Sequence, residues 1–211
     1  MQGRIPGPVP KGLTVFETMR AGPDGRIALW ALHLDRLRDG CGAVGFPLDE
    51  ARIAEVLAGL PRGRVLRARL AVGADGAVAL THQPLPPNPH HWRVVVAAQR
   101  LDSGDPWLRV KTSHRPVYDR ARAALPAGAD EAILLNRQGQ VCEGTITSLF
   151  LRRGGRLLTP PLSCGLLPGV LRRSLLEAGR AEEALLWPED LQEGQILMGN
   201  ALRGLIPARL G

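Results

Sequence analysis

Two residue types carry the permanent positive charge of this chain, and one of them is nearly absent. Arginine occurs 25 times and lysine twice, as Lys11 and Lys111. Lys111 lies in the stretch VKTSHR, residues 110–115, beside an arginine that could have supplied charge by itself. A guanidinium stays ionised and binds anions through two hydrogen bonds at once, whereas a lysine amine can lose its proton and attack a carbonyl. A lysine kept where arginine is the habitual cation therefore points to chemistry on the amine itself.

Few other side chains offer obvious chemistry. Cys41, Cys142 and Cys164 form no CxxC and no His/Cys spacing suited to zinc, so neither a disulfide framework nor a metal site is expected. His90 and His91 follow the proline-rich PLPPNP and belong to a loop. The net charge of +7 raises nucleic acid as a partner. The arginines are scattered from Arg4 to Arg209, however, and one tyrosine and three phenylalanines are a poor supply of stacking rings, so no nucleic-acid partner is expected. Small anionic ligands suit the charge better. No apolar run reaches the roughly 18 residues of a membrane span, and MQGRIPGPVPKG lacks the apolar core of a signal peptide, so a cytoplasmic protein without membrane contact is expected.

The elements that must position Lys111 follow from pattern. LTVFETMR (13–20) alternates as a strand, and Gly22-Pro23-Asp24-Gly25 turns it into a second strand, RIALW, to make a hairpin. Trp30, Leu34, Leu37, Cys41 and Val44 recur at helical spacing and predict a helix over 31–44, followed by another over 48–59. Strands at 64–72, 77–82 and 92–99 complete a small α+β domain of residues 1–100. The turn-rich LDSGDPW marks 101–109 as an interdomain linker. Residues 110–211 make a larger domain: a helix near 116–125, the strand EAILLN, a turn at Gln138-Gly139, and strands at 140–151 and 156–158. A helix over 169–179 starts at GLLPG, where Pro168 suits a first helical turn, and strands at 195–199 and 204–209 end the chain.

Several segments stand in a telling order: FETMR (16–20) with HLDRL (33–37), VKTSHR, VCEGTITSLF (141–150), TPPLSCGLLPGVLRRSLL (159–176) and GNALRGLIPA (199–208). Their order and spacing resemble the class IV aminotransferases, pyridoxal-phosphate enzymes of fold type IV that include branched-chain aminotransferases, D-amino acid aminotransferases and 4-amino-4-deoxychorismate lyases. The likeness runs from about residue 12 to the end. It implies an α+β, two-domain, D-amino acid aminotransferase-like fold with a shortened N-terminus, and a homodimer. By this match Lys111 forms the Schiff base with pyridoxal 5'-phosphate and carries protons at the substrate carbon. Glu143 faces the pyridine nitrogen and keeps it protonated. Arg36 grips the cofactor phosphate. Val170 and Leu171 offer helix N-terminal amides to the same phosphate, Asn200 and Ala201 complete its cup, and Leu167 packs beneath the ring.

The resemblance also bears on the reaction. Thr18 stands where branched-chain aminotransferases have glycine and deoxychorismate lyases threonine, and its hydroxyl could protonate a departing enolpyruvyl group. GNALRGLIP has the lyase length. The implied activity is a lyase that releases pyruvate and 4-aminobenzoate from 4-amino-4-deoxychorismate. Arg20, Arg67, Arg69, Arg115 and Arg203 are candidates to hold the substrate carboxylates, with Arg20, Arg67 and Arg203 inside family-matched segments. The chain departs from the family in three places: Lys11-Gly12-Leu13 replaces an aromatic-Gly-Asp-Gly turn, Ser148 stands for a frequent asparagine, and Tyr118 is the sole tyrosine. Two other hypotheses stay open, an amino acid aminotransferase and a basic binding protein that keeps the fold without catalysis.

Overall fold

The computed structural model describes residues 3–211. They form two compact units: the chain through Pro87 joined by Val110–His114, and Asn88–Arg109 joined by Arg115–Gly211.

In the first unit β1 (Val15–Ala21) leads to α1 (Trp30–Val44), α2 (Glu50–Ala58), β2 (Leu66–Val72) and β3 (Val78–Pro84). The three strands form one antiparallel sheet in the order β1-β2-β3. Alternation assigns its faces. Val15, Glu17, Met19 and Ala21 of β1, with Leu66, Ala68, Leu70 and Val72 of β2, are buried, as are Leu37 and Cys41 of α1 and Ile53 of α2. Phe16, Thr18 and Arg20 point to the other face. The expected RIALW strand does not form. Ile27 makes an isolated bridge to Ala21, and Leu29 turns into the left-handed region (φ 56°, ψ 32°) at the head of α1. A helix that starts at Trp30 leaves too few residues after the Gly22–Gly25 turn for a strand.

The second unit holds β4 (Trp92–Leu101), α3 (Pro116–Ala123), β5 (Glu131–Asn136), β6 (Val141–Gly144), β7 (Ser148–Arg153), β8 (Arg156–Thr159), α4 (Val170–Glu177), β9 (Glu182–Glu183), β10 (Gln195–Asn200) and β11 (Gly204–Leu210). The sheet order is β10-β11-β4-β5-β6-β7-β8-β9, and a further β10–β7 pairing closes six of these strands into a barrel-like ring. Alternate residues fill it: Trp92, Val94, Ile133, Leu135, Leu149, Leu151, Ile196, Met198, Ile206 and Ala208 form one buried cluster. The opposite side of β5 packs Ala132 and Leu134 with Tyr118 and Ala121 of α3, which explains why every residue of β5 is buried. Phe150 and Leu197 are covered by Leu175 of α4.

Two sequence-based boundaries move. β4, expected in the small domain, pairs in parallel with β5 and β11, so the division falls after Pro87 in the proline-rich stretch. Residues 101–109 are no linker but an ordered turn of the second unit, in which Asp102 Oδ1 accepts from Gly104 N and Asp105 Oδ1 from Trp107 N. The single strand expected over 140–151 is two, β6 and β7, joined by a tight turn at 145–147. No described helix is long and apolar enough to cross a membrane.

Candidate active site

The period-two geometry of β1 sends neighbouring residues to different tasks. Glu17 enters the buried face and meets α1, where His33 and Arg36, three residues apart, share one side of the helix. Arg36 donates to Glu17 through Nε (2.8 Å) and Nη2 (2.5 Å), and His33 Nδ1 lies 2.6 Å from the same carboxylate. Burial alone would push the Glu17 carboxyl up. The Arg36 charge and the hydrogen bonds from His33 and Arg36 outweigh it and bring the group down to about 2. Arg36 is thus placed by a buried acid that the sequence reading passed over.

The other face of the sheet collects the second set. Val110–His114 lies along β1: Phe16 N donates to Lys111 O (3.0 Å), Ser113 N to Thr14 O (2.9 Å), and Thr112 bridges Val15. Lys111, half-buried, has its amine 4.9 Å from the centre of the Phe16 ring, and the Arg69 guanidinium stacks on that ring at 3.6 Å. Antiparallel register sets Thr18 opposite Arg69 and Arg20 opposite Arg67. Across β2, the partners of Arg69 and Arg67 are Thr81 and Gln83, so this face carries no carboxylate from the three strands. Among the described residues neither Arg20 nor Arg67 forms an ion pair. Like charges directly opposite on paired strands repel, and an anionic ligand relieves that repulsion.

In the second unit Glu143 is 4% exposed, and its Oε1 accepts from the Tyr118 hydroxyl (2.6 Å) and the Leu167 amide (3.0 Å). Burial, then the Glu143 charge, hold the Tyr118 hydroxyl well above the usual phenol range, so it remains a donor. Leu167 thereby meets Glu143 through its backbone. Three residues on, α4 begins at Val170 with Gly169 as its N-cap, and the first helical hydrogen bond runs from Arg173 N to Gly169 O. The amides of Val170 and Leu171 precede it and have no acceptor in the helix. Any β-carbon at residue 169 would collide with Ser148 Oγ, so the glycine keeps the helix end close to β7.

Asn200 ends β10. Its Oδ1 accepts from Leu202 N (3.1 Å) and Arg203 N (3.0 Å), shaping the turn that holds Ala201, and its Nδ2 donates to Ile146 O (3.2 Å). The same turn at 145–147 is held from below by Glu131, 0% exposed, which accepts from Thr145 N, Thr145 Oγ1, Ile146 N and Thr147 Oγ1. Arg203, one of the substrate candidates, donates to Asn88 Oδ1 (3.0 Å). Glu17, His33, Tyr118 and Glu131 were missed as site residues. An acid in phase with the buried positions of FETMR, and one leading the apolar EAILLN, were the available signals. The three cysteines are unpaired and buried, and no group of His, Cys, Asp and Glu among the described residues could hold a metal.

Taken unit by unit, these residues fit pyridoxal phosphate. A half-buried amine lies beside an aromatic ring, a buried carboxylate is locked by two donors on one oxygen, and helix amides stand behind a glycine that leaves no room for a side chain. The profile of the family described as "Amino-transferase class IV" matches residues 14–210. A crystal structure from Mesorhizobium loti, provisionally titled an amino-acid aminotransferase, superposes with a TM-score of 0.88 at 43% identity, over 94% of this chain and 100% of that one. A Schizosaccharomyces pombe protein with the provisional name aminodeoxychorismate lyase is 28% identical over 85% of this chain and 83% of its own. The 4-amino-4-deoxychorismate lyase structure from Pseudomonas aeruginosa superposes with a TM-score of 0.76 at 26% identity, covering 93% of this chain and 82% of that one.

Proposed function

This chain belongs to the class IV amino-transferase family and is a pyridoxal-phosphate enzyme, and we propose that within the family it is a 4-amino-4-deoxychorismate lyase releasing pyruvate and 4-aminobenzoate. The observation that carries the choice is the acid-free face of the β1-β2-β3 sheet, where the Thr18 hydroxyl stands opposite Arg69 and two residues from the Arg20–Arg67 pair. A substrate with two carboxylates suits such a face, and a hydroxyl among cations can hand a proton to a departing enolpyruvyl group.

When bound, pyridoxal phosphate supplies an aldehyde for the substrate amine and a ring that accepts electrons. Lys111 holds the cofactor and takes the proton from the amine-bearing ring carbon. Glu143, oriented by Tyr118 and Leu167 N, keeps a proton on the pyridine nitrogen. Arg36, the Val170 and Leu171 amides, and the turn at Asn200 and Ala201 hold the phosphate, and Leu167 supports the ring. Thr18 protonates the enolpyruvyl group as its C–O bond to the ring breaks. Loss of one ring proton and of that substituent leaves the ring aromatic with no oxidant required. Arg20, Arg67 and Arg203 hold carboxylates. In this reading the protein works as a homodimer, which light scattering of the purified chain checks.

The test is a paired assay. With aminodeoxychorismate and no 2-oxo acid, pyruvate and 4-aminobenzoate are expected together, and Thr18→Val is expected to lower kcat by about 10²-fold or more. Lys111→Ala should abolish both the cofactor absorbance band and turnover, while Lys11→Ala keeps them. An aminotransferase is the second reading, favoured by the name of the 43% identical Mesorhizobium loti relative. Turnover of an amino acid with 2-oxoglutarate, and none of aminodeoxychorismate, would decide for it.

A further inference from the structure

Arg36 is held with more care than anion binding by itself demands. Glu17 is 1% and His33 0% exposed, and removing a carboxylate from water is costly unless it is paired and hydrogen-bonded. Both Glu17 oxygens are engaged, Oε1 by Arg36 Nε and Oε2 by Arg36 Nη2 and His33 Nδ1. A planar guanidinium pinned through two of its three nitrogens has its plane fixed. His33 Nε2 is buried and has no hydrogen-bond partner, so the ring contributes to this cluster through Nδ1 alone.

We propose that Glu17, backed by His33, is a positioning residue that fixes the Arg36 guanidinium for the cofactor phosphate, an inference that rests on Arg36 being a phosphate-binding residue. Glu17 touches neither substrate nor cofactor in this scheme and acts through the arginine. Its neighbour Thr18 faces the opposite side of the same strand, so one strand carries the support of the phosphate grip and the acid of the reaction on its two faces.

Pyridoxal 5'-phosphate and pyridoxal, which lacks the phosphate, are each titrated into the full-length chain and followed by the cofactor absorbance band. The ratio of their dissociation constants isolates the phosphate contribution, and a merely structural role would weaken both alike. Glu17→Gln keeps the volume and one acceptor but not the charge. It is expected to reduce the preference for the phosphorylated form about tenfold, with pyridoxal binding changed by no more than about twofold. Combined with Arg36→Ala it should cost no more than Arg36→Ala by itself. If Arg36→Ala collapses the preference and Glu17→Gln leaves it intact, the positioning role is overturned while the phosphate role of Arg36 stands. If Arg36→Ala leaves it intact, the assignment of Arg36 fails and takes this inference with it. Should Glu17→Gln not fold, His33→Gln is expected to lower the preference about threefold, and an unchanged value there overturns the proposal.

Discussion

A carboxylate as deeply buried as Glu17 stays charged only because its partners outweigh the loss of water. Its folded-state value of about 2 lies below the ordinary 4.5, so its stabilisation is fully present above 4.5 and is lost as pH falls from there toward 2. The difference corresponds to about 3 kcal/mol. Urea melts at pH 6 and pH 3 are expected to show a steeper loss of stability for the native chain than for Glu17→Gln, which has nothing to titrate at that position. Lys111 was legible from the sequence because its chemistry contrasts with 25 arginines. Tyr118 was not, because its importance lies in a partner 25 residues away, and nothing in the spacing of an isolated tyrosine announces a hydrogen bond to Glu143. The roles assigned to Arg36 and Glu143 came from resemblance; of their supports, Glu17 had a signal in its phase with the buried positions of FETMR, while Tyr118 became visible only once the chain was folded.

At the scale of elements, the head of α1 carries a strained residue. Leu29 is a non-glycine residue at positive φ, it makes no side-chain cap, and its side chain is 39% exposed. A branched side chain in the left-handed region costs about 1–2 kcal/mol. Leu29→Asn is therefore expected to raise stability by about 1 kcal/mol, since asparagine tolerates that region and suits an N-cap, as a thermal melt would reveal. The head of α4 behaves oppositely. Gly169→Ala should weaken binding of the phosphorylated cofactor, and adding Ser148→Ala should restore part of it by removing the oxygen the new methyl would strike. The sequence disclosed α4 well because Pro168 and Gly169 are local signals. It misplaced RIALW because alternation in five residues reads as strand until the next helix claims Trp30. The break between β6 and β7 was hidden because the turn residues Thr145, Ile146 and Thr147 are themselves β-prone, and the turn is enforced by Glu131 from another strand.

At the scale of the whole molecule, local pattern lost its grip on the domain boundary. β4 reads like the strands before it, yet its hydrogen-bond partners β5 and β11 come later in the chain. The segment Val110–His114 makes the reverse journey and lies along β1. Removing Gly204–Leu210 takes out the strand between β10 and β4 and opens the ring. The shortened chain is expected to lose the cooperative unfolding transition of the second unit, measured by calorimetry.

The pairing of Trp92 with Ala208 also dictates timing. Contacts so remote in sequence must bear their loop-closure entropy before they return any stabilisation, which slows folding. During synthesis the edge of β4 emerges long before the strand that will cover it, and an uncovered edge is a template for pairing with other chains. Nascent copies of this protein thus pass through an interval of vulnerability to aggregation that ends only when the final strand slides into place.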